Sequence, residues 1–257
     1  MQNEKILHFK EKLENSFTIG LFSKTSDPAF IEILGHAQFD FVILDLEHGP
    51  SSVQSLQNLI RAAQVSNILP IVRVKENNLS IIGEVLDIGA AGVQIPQVEN
   101  AEQARLLIRQ TKFAPSGNRG VCRFVRSADY SAKDRFEYFK DANDSIVVLQ
   151  IEGQNAISEL NNILDVEGID LIFIGPYDLA QSVGMPGQID HPLVTEKMKE
   201  IIEACNKRNI VVGTFVDTIE NAIRWRKAGV KYLAYSVDVG IFYDACRDLS
   251  CKLKLID

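Results

Sequence analysis

Apolar residues fall in short runs, separated by amphipathic stretches, along nearly the whole chain. Eight runs read as strands, at residues 17–22, 41–45, 70–74, 92–96, 146–152, 170–174, 210–215 and 232–237. They are apolar and largely β-branched at almost every position instead of alternating, as a parallel strand covered on both faces requires. Between them the period lengthens to that of a helix. The stretch 51–65 sets Val53, Leu56, Leu59, Ile60 and Ala63 on one face, and 79–88, 101–111, 194–208 and 218–227 repeat the pattern. Strand–helix alternation without a linker predicts an α/β fold, a single (β/α)8 TIM barrel spanning residues 1–257. A doubly wound sheet is the competing arrangement, but no G-x-G-x-x-G follows the first strand. Two connections, 113–145 and 177–193, exceed the rest and are expected to be functional loops or lids.

A length of 257 residues suits one such barrel. The N-terminal segment (Met1, Gln2, Asn3, Glu4, Lys5) is polar and lacks an apolar signal core, and no apolar run is long enough to span a membrane, so a cytoplasmic protein is expected. Net charge is −7 with Lys and Arg scattered singly, which argues against a nucleic-acid surface and means any anion site must be built locally. Cys122, Cys205, Cys246 and Cys251 have no metal or redox spacing and are expected to be idle thiols.

Chemistry in a barrel collects where strands end. The second strand ends Asp45-Leu46-Glu47-His48-Gly49-Pro50, the third in Arg73, the fifth in Gln150-Ile151-Glu152, and the sixth in Gly175-Pro176-Tyr177-Asp178. One such polar residue is most simply an ion pair, but several at the same end are harder to explain by folding alone. Glu152 and Asp178 close adjacent strands, and two buried carboxylates that approach each other favour a cation between them. With no Cys or paired His nearby, that cation is a hard one, Mg²⁺ or Mn²⁺, with Co²⁺ also accommodated. Arg73 is the one basic residue this reading places at the same end, too little to neutralise both acids. His48, beside Asp45 and Glu47, is suited to general-base work. His8, His36 and His191 lie in a leading segment, a helix end and a loop, where no role is expected.

Taken together, these residues resemble the HpcH/HpaI aldolase family, the class II pyruvate aldolases. The resemblance runs from about Thr18 to Phe242. Its carriers are Phe41-Val42-Ile43-Leu44-Asp45-Leu46-Glu47-His48-Gly49, Val72-Arg73-Val74, Leu86-Asp87-Ile88-Gly89-Ala90 and Gly117-Asn118-Arg119-Gly120-Val121. The most specific are Gln150-Ile151-Glu152, Val166-Glu167-Gly168-Ile169-Asp170 and Ile174-Gly175-Pro176-Tyr177-Asp178-Leu179. It implies a metal-dependent aldolase that joins pyruvate, as its enolate, to an aldehyde, with Glu152 and Asp178 as metal ligands. Arg73 would then stabilise the enolate oxygen, with Gln150 near it. His48 would belong to the acid–base machinery, with Asp45 and Glu47 behind it. The backbone from Gly175 through Pro176 and Tyr177 to Asp178 would receive the carboxylate. Tyr177, where several members carry a small residue, would narrow the site. Asp87 ends a helix that points away from its own mouth. The resemblance therefore implies that it serves the His48 of a neighbouring subunit, within a homo-oligomer, a hexamer, whose C-terminal helix (about 239–253) packs on a neighbour.

Other readings carry separate tests. The same metal–enolate site would serve a citrate-synthase-like or citryl-lyase-like reaction. A Schiff-base aldolase would need Lys75, which sits among Glu76, Asn77 and Asn78 in what reads as a solvated loop. A non-catalytic barrel that binds a 2-oxo acid would not need His48. A phosphosugar enzyme is disfavoured because the seventh and eighth strand exits lack a Gly-rich cradle. Arg119 could hold an anion or fix its loop by a salt bridge.

Overall fold

In the computed structural model, which describes residues 2–75 and 79–256, helix α1 (Gln2–Asn15) precedes a regular alternation of strands and helices. The order is β1 (Thr18–Ser23), α2 (Pro28–His36), β2 (Phe41–Asp45), α3 (Val53–Val65), β3 (Leu69–Arg73), α4 (Leu79–Asp87), β4 (Gly92–Ile95) and α5 (Ala101–Thr111). There follow a short 3₁₀ segment (Arg126–Ser131), α6 (Arg135–Ala142), β5 (Ile146–Ile151), α7 (Gln154–Ser158), α8 (Leu160–Leu164), β6 (Leu171–Ile174) and α9 (Pro176–Ser182). The chain closes with α10 (Pro192–Asn206), β7 (Val211–Val216), α11 (Ile219–Lys227), β8 (Tyr232–Val237) and α12 (Asp238–Leu253). The eight strands are parallel and close into a barrel in chain order, the (β/α)8 architecture the apolar pattern predicts. Residues 76–78, beside Lys75, lie outside the described residues.

Strand period places the site. Successive side chains alternate between the barrel interior and the helical layer. In β2, Val42 and Leu44 join the outer core while Phe41 and Ile43 face inward; in β3, Leu69 and Ile71 face inward, and in β5, Ile146 and Val148 do. Continuing each inward series to the strand exit gives Asp45, Arg73, and Gln150 followed by Glu152. The barrel is thus apolar below and polar only in its last layer. Its middle is filled by Phe41 stacked on Tyr232 at 3.8 Å, with Phe173 edge-on to Tyr232. That stack needs two glycines: a Cβ on Gly20 would come within 2.3 Å of the Phe41 ring, and one on Gly213 within 2.7 Å of Tyr232.

Two expectations are corrected. The leading segment, read as mixed polar, is the helix α1, whose Ile6, Phe9 and Leu13 are buried and close the bottom of the barrel, Phe9 edge-on to Phe41 at 6.0 Å. Lys10–Asp170 and Lys12–Asp40 ion pairs tie it down. The excursion 113–145 is no lid over its own mouth. It follows a helix and leads into the start of β5, so it lies at the barrel's lower end, with the 3₁₀ turn and α6 folded within it. There Phe113, Ala128 and Tyr138 form a small core of their own. The 177–193 connection, in contrast, does leave the mouth, and its first part is the helix α9. His191 caps α10, its Nδ1 accepting the Leu193 N–H at 3.3 Å. Helix α12 exposes Val239, Ile241, Phe242, Tyr243, Leu249 and Leu253. Among the described residues no helix is long and apolar enough to cross a membrane.

Candidate active site

Register brings the first constellation together. Asp45 stands opposite Arg73, and Arg73 opposite Gln94, across neighbouring strands. Arg73 Nε and Nη2 donate to the two Asp45 oxygens at 2.9 and 2.8 Å, while Nη1 lies 2.9 Å from Glu47 Oε2. Its guanidinium rests over the Phe22 ring, 4.6 Å from the centroid. A planar fork held by two carboxylates and an aromatic face has little rotational freedom left. Burial pushes Asp45 up, but the hydrogen bonds and charge of Arg73, helped by the His48 N–H and Lys24, pull it below the ordinary carboxylate range. Glu47 moves the other way: burial raises it despite Arg73. Asp45 Oδ1 also accepts the backbone N–H groups of Glu47 and His48, at 3.0 and 3.3 Å, folding the strand exit into a turn. His48 stands on that turn with its ring exposed, 3.9 Å from Glu47.

The second constellation begins beside the first, on β4, and continues on β5. Gln94 Nε2 donates to Gln150 Oε1 at 2.7 Å, and Gln150 Nε2 donates to Glu152 Oε2 at 2.5 Å. The other Glu152 oxygen accepts the backbone N–H of Gln97 at 3.0 Å, from a residue held at φ 55°. Glu152 is buried, and burial drives its pKa up to about 7; Asp178 and Glu47 add to the rise, and the Gln150 and Gln97 hydrogen bonds oppose it. Asp178 is exposed in the first turn of α9 instead of ending a strand. That helix starts at Pro176, and its cap, Gly175, offers no capping side chain, so its first amides stay available. Among the described residues no basic side chain pairs with Glu152 or Asp178, and no group of three or more His, Cys, Asp or Glu is gathered for a metal. Glu152 and Asp178 are the residues here that could hold a metal, and carboxylate oxygens suit a hard divalent cation.

Both constellations border one cavity of about 300 Å³, lined by His48, Arg73, Gln150, Gly175, Pro176, Tyr177 and Asp178. Tyr177 donates its hydroxyl to Asp217 at 2.6 Å and leans edge-on against Phe215; burial, then Asp217, push its pKa up to about 12. Sequence reading missed Lys24, Phe22, Phe173, Phe215 and Val237 in this wall. Strand alternation carried through β1 and β7 would have turned Phe22, Lys24 and Phe215 inward. Lys24 also corrects the placing of Arg73 as the one base at this end: its Nζ lies 3.8 Å from Asp45.

Asp87 is set apart. It ends α4 at the lower end of the barrel, away from this cavity, and pairs at 2.5 Å with Arg119, which is buried in the 113–145 excursion. Arg119 thus makes the loop-fixing salt bridge, and within one chain Asp87 and His48 do not meet.

An arginine fixed by carboxylates at the exits of a parallel barrel, sharing a mouth cavity with Gln150 and Asp178, is the layout of an enzyme that stabilises an oxyanion on a small substrate. The chain belongs to the HpcH/HpaI aldolase/citrate lyase family, whose model matches residues 18–245. It is 35% identical over 243 residues to the 2-keto-3-deoxy-L-rhamnonate aldolase of Escherichia coli, covering 92% of this chain and 89% of the relative. Among solved structures it resembles an HpcH/HpaI aldolase/citrate lyase family protein of Burkholderia cenocepacia, at TM-score 0.91 and 28% identity over 96% of this chain and 99% of that one. The citrate synthase SbnG matches at TM-score 0.84 and 30% identity, with 95% of each chain covered. By family the protein is an aldolase, a carbon–carbon lyase.

Proposed function

We propose that the protein cleaves, and in reverse forms, the bond between the third and fourth carbons of a 4-hydroxy-2-oxo acid, releasing pyruvate and an aldehyde, with a divalent metal held by Glu152 and Asp178. The observation that carries this is a cavity walled by Arg73, locked on Asp45 and Glu47, and by Asp178 and Gln150, with Glu152 held directly behind Gln150. A divalent cation bound there would polarise the keto and carboxylate oxygens of the 2-oxo acid.

The chain's own residues supply the remaining steps. The backbone N–H groups of Gly175, Tyr177 and Asp178, at the opening of α9, receive the carboxylate, Pro176 having none to donate. His48 takes the proton of the 4-hydroxyl; its oxygen electrons become the aldehyde carbonyl, and the carbon–carbon pair moves on to the third carbon. The resulting enolate spreads to the keto oxygen, where Arg73 donates to it, with the Gln150 amide beside it. Proton return to the third carbon yields pyruvate. Asp45 and Glu47 hold Arg73 in place so that no reorganisation is needed as charge develops.

Asp87 completes the base only between subunits in this reading. Its position at the far end of its own barrel, and the exposed apolar face of α12, support a homo-oligomer, a hexamer by resemblance, in which the Asp87 of one subunit reaches the His48 of the next. A cytoplasmic setting accords with intermediates of this kind. The likeness to a citrate synthase favours a second reading in which the same enolate attacks another acceptor.

The test is incubation of pyruvate with a panel of aldehydes and Mg²⁺ or Mn²⁺. Formation of 4-hydroxy-2-oxo acids supports the aldolase reading; condensation only with acyl esters would favour the second.

A further inference from the structure

We propose that Gln94 is a positioning residue for Gln150: it fixes which end of the Gln150 amide faces the cavity, so that the enolate oxygen meets an N–H donor and not a carbonyl. The inference rests on the aldolase reading above and gives a role to a side chain which that reading leaves unused. In β4, Val93 and Ile95 join the outer core, while Gln94 turns inward, opposite Arg73 on β3 and on the strand next to β5. Gln94 is wholly buried. It can therefore act on a substrate only through a neighbour.

A primary amide has one oxygen that accepts and one nitrogen that donates two hydrogens. Glu152, as a carboxylate, only accepts, so Gln150 turns Nε2 to it, at 2.5 Å. Gln150 Oε1 is left for β4, where Gln94 Nε2 donates to it at 2.7 Å. With its oxygen covered and one amide hydrogen spent, Gln150 has its second N–H left to offer. Gln150 lines the cavity together with Arg73, so that N–H is the one open to an oxyanion there. Gln94 gains nothing for itself from the arrangement. Its own Oε1 is buried and, among the described residues, has no hydrogen-bond partner. A buried acceptor left unpaired costs stability, and apolar residues in place of both glutamines would spare the fold that cost. The polar pair is explained by the face it presents to the cavity. Without Gln94, the Gln150 oxygen would be the unpaired atom, and the amide would gain by turning it toward the cavity, where it would repel the enolate.

The experiment is a double-mutant cycle on Gln94→Met and Gln150→Met at saturating Mg²⁺, read by pyruvate methyl-proton exchange in deuterated water and by melting temperature. Gln94→Met should lower kcat for exchange by roughly 10- to 100-fold, the usual cost of losing a group that orients a residue of a metal site. Its KM for pyruvate should stay near that of wild type, as expected when an interaction made in the transition state is lost. Its melting temperature should also change little, since one orphaned acceptor replaces another. In the Gln150→Met background, Gln94→Met should cost nothing more, because a residue that acts through Gln150 has nothing left to act on. Losses that multiply in the double variant would give Gln94 an effect of its own and overturn the proposal. So would a Gln94→Met variant with wild-type kcat, or one whose loss lies in KM or is matched by a fall in melting temperature. Absence of exchange in the wild type itself would remove the aldolase reading, and the role of Gln94 with it.

Discussion

Glu152 reaches the mouth of the barrel because residue 175 is Gly: a Cβ on Gly175 would stand 2.3 Å from Glu152 Oε2. The same Cβ would be 3.3 Å from Gln150 Nε2, so the hydrogen-bonded Gln150–Glu152 pair packs against a bare backbone. Gly175→Ala should therefore displace the carboxylate without touching the core. Mn²⁺ affinity, measured by titration calorimetry, is expected to fall at least about tenfold, the size of effect seen when groups that orient a metal ligand are lost. Thermal stability should change little. Unaltered Mn²⁺ binding would mean that Glu152 is not a ligand.

Arg73→Ala should lower kcat by a factor on the order of 10²–10³, the usual cost of one preorganised oxyanion donor. Exchange of the pyruvate methyl protons should slow in parallel, because that half-reaction needs only enolate formation. Arg73→Lys should rescue little, since an ammonium cannot bridge Asp45 and Glu47 as the fork does. Normal exchange in Arg73→Ala would assign the residue to structure alone.

Asp45 links that arginine to folding. Its native pKa lies below the ordinary value, so it binds fewer protons folded than unfolded in the acid range. Its stabilising contribution is complete above the unfolded value of about 4 and is lost as pH falls through the lowered native pKa. The melting temperature of wild type should thus exceed that of Asp45→Asn at neutral pH, and the two curves should converge in acid. A gap that stays constant with pH would show that the loss comes from packing and not from the ion pair.

Much of this site was legible from sequence, for a physical reason. Parallel strands buried on both sides are written as unbroken apolar runs, and polar residues at their ends, such as Asp45, Arg73 and Glu152, stand out against them. What pairs with what was not legible, because it depends on register. Sequence shows Arg73 as the one counter-charge near Glu152 and Asp178, too little for both, whereas register gives it to Asp45 and the turn after β2 adds Glu47. Helix α1 was hidden because Ile6, Phe9 and Leu13 form a thin stripe among charged residues. Lys24 lay unnoticed because Lys24-Thr25-Ser26-Asp27 reads as an ordinary polar turn. The length of the 113–145 excursion suggests a lid, although the helix before it and the strand after it decide which end it occupies.

The cross-subunit role of Asp87 has its own test. Chains carrying His48→Ala and chains carrying Asp87→Asn should each be poorly active, and mixing them with subunit exchange should restore part of the activity, since some interfaces regain both residues. Asp87→Asn also loses its pairing with Arg119, so its oligomeric state should be checked by sedimentation. Exchange without any recovery would confine Asp87 to fixing the 113–145 segment through Arg119.

The most direct test of the central claim is pyruvate methyl-proton exchange in deuterated water, followed by NMR on the wild type, Glu152→Gln and Asp178→Asn. The account predicts exchange with Mg²⁺ or Mn²⁺, its loss on adding chelator, its return with fresh metal, and little or none in either variant. Exchange that persists in chelator after retained metal has been ruled out, or that survives in both variants, would contradict it.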